Sequence, residues 1–366
     1  MAKTIINKRR GRLPLIEVVD LFCGIGGLSY GMKSKGFKIL AGFDLDSTCQ
    51  YAYETNNDAK FVYKDIRQVE KDDIISLFSK KSIKVLAGCA PCQPFSSYAF
   101  KNKNKDASKY NLLYEFGRLV KEVHPDIVTM ENVPTIASFK LKSVLADFVD
   151  ILQEEGYHVK YQVVYCPDYG IPQTRKRLVL LASRLGEIAL IPPTHKKEDY
   201  VTVRETIGNL PPLEAGESCP TDALHRCRDL TPLNMQRMLA TPYGGGWKDW
   251  PKDLQLKCHQ EETGKSFGSV YGRMIWDSPA PTMTTFCTGI GNGRFGHPEQ
   301  NRAISIREAA LFQTFPVSYK FFPNEGSVSI TKASRYIGNA VPPKLGEIIA
   351  QSVINCIKNR YDNEKE

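Results

Sequence analysis

Several features are missing from this 366-residue chain, and each absence removes a class of protein. No stretch approaches the ~18 uninterrupted apolar residues of a membrane-spanning helix, which excludes a membrane bundle. There is no internal repeat and no low-complexity tract. With 42% hydrophobic and 24% charged residues, the chain is neither disordered nor collagen-like. The basic N-terminal residues Lys3, Lys8, Arg9, Arg10 and Arg12 are followed by no apolar signal core, because Glu17 and Asp20 interrupt residues 13–22. A cytoplasmic protein, nucleoid-associated if the source is bacterial, is expected rather than a secreted or membrane-attached one. The ten cysteines, at 23, 49, 89, 92, 166, 219, 227, 258, 287 and 356, show no disulfide rhythm. In a reducing compartment most should be free thiols. Cys89-Ala90-Pro91-Cys92 is the only CxxC, without the second pair or HxxxH that would complete a zinc site, so no metal is expected. Acid is in short supply: 49 Lys and Arg against 40 Asp and Glu leave a net charge of +9. That balance suits a polyanionic partner without requiring one.

The length suggests about two domains, or one with an insertion. In the first half, short strand-like runs at residues 15–22, 37–43, 61–63, 83–87, 127–130, 157–165 and 177–182 alternate with helix-like stretches. The helices fall at residues 46–54, 69–78, 111–123 and 141–155, with another running from the first glycine turn to Lys35. Alternation of this kind predicts a doubly wound, mostly parallel α/β sheet. From Arg184 to about Pro298 the chain is rich in Pro and Gly and loses periodicity, as a second, irregular domain would. Helix signals return at residues 305–313 and 345–358.

Four motifs can carry chemistry. The first is Gly24, Gly26 and Gly27, which follow the first strand, where glycines let a ligand approach the backbone. The spacing is G-x-G-G, not the G-x-G-x-x-G of a dinucleotide site. Asp44 ends strand two, where an acid can grip ribose hydroxyls, and Asp65 follows strand three, where it can meet an adenine amine. The alternative is ordinary turn chemistry with solvated acids. The second motif is the loop from Gly88 to Ser96, in which Pro91 and Pro94 stiffen the backbone around Cys92, a candidate nucleophile with a redox CxxC as rival. Lys101, Lys103, Lys105 and Lys109 continue it and could track phosphates. The third is Glu131, which ends strand five and can hydrogen-bond or protonate a ring nitrogen. The fourth is the alternating row Gln173, Arg175, Arg177, whose arginine forks suit phosphate or a base carbonyl, or else form a charged strand edge.

Together these residues resemble the DNA (cytosine-5)-methyltransferases. The likeness covers nearly the whole chain in the family's order. It rests on Asp20-Leu-Phe-Cys-Gly-Ile-Gly-Gly27, Pro91-Cys92-Gln93, Glu131-Asn132-Val133 and Gln173-x-Arg175-x-Arg177. Arg307-Glu308-Ala309-Ala310 with Phe315-Pro316, and Gly338-Asn339-Ala340-Val341, complete it. Cys23 stands where alanine is commoner, and Leu45 where an aromatic often follows the ribose acid.

The resemblance implies an S-adenosylmethionine-dependent methyltransferase fold and a flipped cytosine as substrate. Cys92 would add to C6 and Glu131 would hold N3 and the exocyclic amine. Arg177 would contact the base carbonyl, with Arg175 positioning the loop or a phosphate. Phe22, Gly24, Gly26, Gly27, Asp44, Leu45, Asp65, Ile66, Pro91, Leu112, Asn339 and Val341 would bind the cofactor. Gln93, Ser96, Ser97, Lys101, Lys103, Gln173, Arg237, Lys248 and Arg273 would touch DNA. The catalytic domain would comprise residues 1–184 and 328–366, and the target-recognition domain residues 185–327. A monomeric modification enzyme acting on double-stranded DNA, with a cognate restriction endonuclease for the same site, is the implied setting. One branch of the family methylates tRNA instead. A nicotinamide-linked dehydrogenase on a similar sheet would bind NADH and not S-adenosylmethionine. A catalytically dead DNA-binding module would not need Cys92, Glu131 and the arginine row intact.

Overall fold

The structure, a computed structural model, describes residues 13–91, 111–137, 142–261, 264, 267–324 and 328–363. Seven strands form one sheet: β1 (Ile16–Leu21), β2 (Lys38–Asp44), β3 (Lys60–Tyr63), β4 (Ile83–Gly88), β5 (Ile127–Asn132), β6 (His158–Tyr165) and β7 (Lys176–Ser183). Their order is β3-β2-β1-β4-β5-β7-β6. The first five are parallel, and β7 runs antiparallel to both β5 and β6. All seven coincide with the strand-like runs of the sequence. β1 and β5 are buried at every position because both faces of the sheet are covered, the condition that favours continuous apolar runs over alternation.

Helices α3 (Lys71–Ile75), α4 (Asn111–Val123) and α5 (Lys142–Glu154) cover one face, through Ile74, Phe116, Leu119 and Phe148. The other face carries α1 (Gly27–Ser34) and α2 (Gln50–Asn57), with Leu28, Met32 and Tyr53 in its core. The remaining helices are α6 (Val203–Ile207), α7 (Pro232–Leu239), α8 (Lys257–Gln260), α9 (Ile306–Phe312), α10 (Ile330–Asn339) and α11 (Pro343–Asn363). The core of α1 and α2 runs on through Val203, Ile207, Trp276, Ile306, Phe312, Ile337 and Ile349. The irregular segment and the closing helices therefore share one apolar core with the sheet. Among the described residues no helix is long and apolar enough to cross a membrane.

The Arg307-Glu308 pair is structural. Ser305 and Glu308 form a capping box at the start of α9, and Glu308 makes a bidentate pair at 2.8 Å with fully buried Arg302. Arg307 reaches Asp222 at 2.6 Å, on β9 (Asp222–Arg226) of a short hairpin with β8 (Ser218–Cys219). Breaking such a buried pair typically costs about 3–5 kcal/mol.

Candidate active site

The motifs meet along the carboxyl ends of the parallel strands. β1 ends at Leu21, and the turn runs from Phe22, held at φ 60°, through Gly24 at φ 50° and Gly26 at φ 87°. Among the described residues a Cβ on Gly24 would meet nothing within 4 Å, so this backbone is open towards them. Gly27 is required for a different reason. A Cβ there would lie 2.2 Å from the Val341 carbonyl oxygen, because the chain after α10 presses on the start of α1.

Asp44 fastens the rim. Its Oδ2 accepts from the Gly24 N–H at 2.8 Å and its Oδ1 from the Asp46 N–H at 2.9 Å. Burial pushes its carboxyl above the ordinary range, against the pull of those two donors. A carboxylate offers about four acceptor sites, so beyond these and the Leu45 N–H it keeps capacity for a hydroxyl group. Leu45 beside it is 53% exposed, a free apolar surface at the rim, while Ile66 is buried. Asp65 caps the turn at Ile66–Gln68 and pairs with Arg67, whose hydrogen bonds hold its carboxyl below the usual range. Leu112 is half-buried on α4, Pro91 and Asn339 are exposed, and Val341 is buried. One neighbour went unnoticed in the sequence as a titrating group. Asp20, under the glycine turn, accepts from Ser29 Oγ at 2.6 Å, leaves Oδ1 unpartnered, and is pushed up to about 7 by burial.

A second group lies two strands along. Sheet register sets Glu131 opposite Val179, so Arg177, two residues on, shares its face at the diagonal position. Arg177 Nε lies 2.8 Å from Glu131 Oε1, and Glu131 is 3% exposed. This is a contact between charges, since Oε1 receives no aligned hydrogen bond. On the other side Gly88 of β4 pairs with Met130, which brings Cys89 alongside Glu131. The Cys89 thiol donates to Glu131 Oε2 at 2.9 Å. Asn132 Nδ2 reaches the Ala90 carbonyl at 3.4 Å, tying the end of β5 to the loop that leads to Cys92. Cys92, Gln93, Ser96, Ser97, Lys101 and Lys103 lie outside the described residues, as do Lys105 and Lys109.

The alternating arginine row is corrected in part. Gln173 is fully buried, donates to the Phe312 carbonyl at 2.8 Å and to Gln313, and accepts from the Met283 N–H at 3.0 Å. No face of it is left for DNA. Arg175 is also buried, which removes the phosphate option. It donates to Met283 O at 3.0 Å and Ala340 O at 3.4 Å, with Nε unpartnered. Burial first, then the charge of Arg177, pulls its guanidinium down to about 9. Gln173, Arg175 and Gln313 thus clasp residues 283 and 337–340, setting Asn339 and Val341 against the rim.

Within the irregular segment, Arg273 is likewise corrected. It is 4% exposed and donates to the carbonyls of Thr241, Met238, His297 and Gln300 and to Asn301. Arg237 lies over the rings of Trp250 and Tyr271 and donates to Leu254 O at 2.9 Å, so it fastens that aromatic cluster. Trp247 and Trp250 are both buried, stacked on or tilted against His259. They form the core of the segment and do not offer a free stacking surface. Of the three basic residues singled out here, Lys248 alone is exposed.

Comparison with known proteins decides what this arrangement belongs to. The sequence profile of the family C-5 cytosine-specific DNA methylase matches residues 16–355. The chain belongs to the C-5 cytosine-specific DNA methylases. It is 49% identical over 348 residues to Type II methylase M.HgiDII of Herpetosiphon aurantiacus, covering 95% of this chain and 98% of that one. It is 30% identical to Type II methyltransferase M.Eco47II of Escherichia coli, covering 93% and 79%. Among solved structures, a chain described as a DNA modification methyltransferase encoded within an Escherichia coli prophage superposes with a TM-score of 0.71. That match is 22% identical and covers 94% of this chain and 99% of that one, a likeness of fold.

Proposed function

We propose that this methylase transfers a methyl group from S-adenosylmethionine to C5 of a flipped cytosine within a specific site in double-stranded DNA. The observation that carries the reading is the juxtaposition of Glu131 and Arg177, on adjacent strand ends, with the open glycine rim and the loop leading to Cys92.

The rim fits the cofactor. Open backbone at Gly24, spare acceptor capacity on Asp44 and the exposed face of Leu45 match a polar chain, a ribose and an adenine, while the Asp65 carboxylate is engaged by Arg67. When bound, S-adenosylmethionine supplies an electrophilic methyl group. C5 of cytosine is too weak a nucleophile to take it unaided. Addition of the Cys92 thiolate to C6 makes C5 enamine-like. Glu131 holds the exocyclic amine and gives a proton to N3, so the negative charge that thiolate addition puts on the ring is neutralised. Arg177 pairs with Glu131 and would contact the base carbonyl. Loss of the C5 proton then expels Cys92. Because the target atom is inaccessible in a stacked duplex, the base must leave the helix. Residues 185–327 would choose the site, with Lys248 at phosphate. The Type II names of the relatives support a restriction–modification setting, with a cognate endonuclease for the same site.

DNA containing 5-fluorocytosine tests this reading, since the fluorine cannot leave as a proton does. The parent protein should be trapped covalently and Cys92→Ser should not; a trapped complex in the serine variant would overturn the assignment. Glu131→Gln should lose about 100-fold or more in kcat, the usual scale for a positioned acid or base. Methylation of tRNA in preference to duplex DNA would favour the other branch of the family.

A further inference from the structure

The CxxC pattern leaves its first cysteine without a role once Cys92 is the nucleophile. The sheet gives Cys89 a specific neighbour. Its backbone is fixed by the N–H donated to Leu21 O at 3.2 Å, and the next residue's carbonyl accepts from Asn132. Parallel register then puts the Cys89 side chain on the face that carries Glu131, within 2.9 Å of Oε2.

We propose that Cys89 is a positioning residue for the cytosine site, its thiol holding the Glu131 carboxylate in one orientation for the base. This rests on the role of Glu131 given above. The final bond of a glutamate rotates in a broad, shallow well, so one contact does not fix the plane of the carboxylate. Arg177 approaches with Nε 2.8 Å from Oε1, and Oε1 has no aligned hydrogen bond among the described residues. A donor on Oε2 supplies the second point. A thiol suits this position because it is a neutral and weak donor. A second cation would favour the ionised carboxylate strongly and oppose its sharing a proton with a ring nitrogen. Cys89 restrains the group without that pull.

A double-mutant cycle separates positioning from plain packing. kcat for duplex methylation is measured at saturating S-adenosylmethionine for the parent, Cys89→Ala, Glu131→Gln and the double variant. Cys89→Ala should lower kcat about tenfold, with the Kd for S-adenosylmethionine unchanged within about twofold. Cys89→Ser, which keeps a donor, should restore the rate to within about threefold. In the Glu131→Gln background the alanine change should cost less than about twofold, because the group it acts through is gone. If alanine does not fold, Cys89→Val keeps volume without a donor and completes the same cycle. Equal losses in both backgrounds, or a parental kcat in the alanine variant, would overturn the proposal. Full activity in Glu131→Gln would instead overturn the role of Glu131, and this proposal with it.

Discussion

Alanine at Gly24 tests whether the glycine rim is the cofactor cradle. The residue sits at φ 50°, a left-handed conformation that costs an L-residue about 1–2 kcal/mol. The new Cβ meets no described residue within 4 Å, so none of them adds a clash to that cost. The hydrogen bond from the Gly24 N–H to Asp44 Oδ2 also survives, since it uses only the backbone. Unfolding by urea in the absence of ligand should therefore show a loss of about 1–2 kcal/mol. A methyl group in that open space would stand where a ligand must approach the backbone. Crowding of this kind costs about 1–3 kcal/mol, or about 5- to 150-fold in Kd. Titration calorimetry with S-adenosylmethionine reads the affinity directly. Gly27→Ala is the control: its Cβ would lie 2.2 Å from the Val341 carbonyl, so it should destabilise the fold before any ligand is added. A Gly24→Ala protein that binds within about twofold of the parent would refute the placement of the cofactor.

Three further outcomes follow from charge and burial. Arg273→Ala strands four carbonyls and an amide oxygen and should cost about 3–5 kcal/mol in urea unfolding. Lys248→Ala should change stability by less than about 0.5 kcal/mol but reduce the salt slope of DNA binding by about one. The pH dependence of Asp20 has a definite sign. Its carboxyl is raised to about 7 by burial, so the folded state holds a proton that the unfolded chain releases near pH 4. Its stabilising contribution is complete below about pH 4 and is lost as pH rises to 7, by at most about 1.4 kcal/mol per pH unit. Asp20→Asn should therefore gain on the parent between pH 5 and 7 in chemical unfolding. Taking the difference cancels the opposite trend of His297, whose ring is pulled down to about 4 by burial. A flat difference would show that Asp20 ionises freely.

The inner strands β1 and β5 were legible in the sequence because they are buried on both faces and read as unbroken apolar runs, while the edge strands β3 and β6 are largely exposed. The helix at Asn111–Val123 was legible with its ends. Three shorter helices were not drawn, although their caps were present. Thr202 with Glu205 opens α6, Thr231 before Pro232 opens α7, and Ser329 opens α10, whose Ala333, Tyr336 and Ile337 face the core. Polar composition masked them. Glu131 and Arg177 could be named from their motifs, but their pairing depends on β7 lying antiparallel beside β5. Cys89 reads in the sequence only as part of a CxxC, a zinc or redox pair, because its contact with Glu131 exists only through the β4–β5 register. Arg273 and Lys248 look alike as sequence. What separates them is carbonyl oxygens contributed by residues up to 35 positions away, which no local pattern reports.

The most direct measurement is the modified base itself. Duplex DNA incubated with the protein and labelled S-adenosylmethionine is digested to nucleosides and separated, and the same DNA is sequenced after bisulfite treatment. The account predicts label in 5-methylcytosine alone, at one short fixed sequence, and none with Cys92→Ser. Label in N4-methylcytosine or N6-methyladenine, or 5-methylcytosine made undiminished by the serine variant, would contradict it.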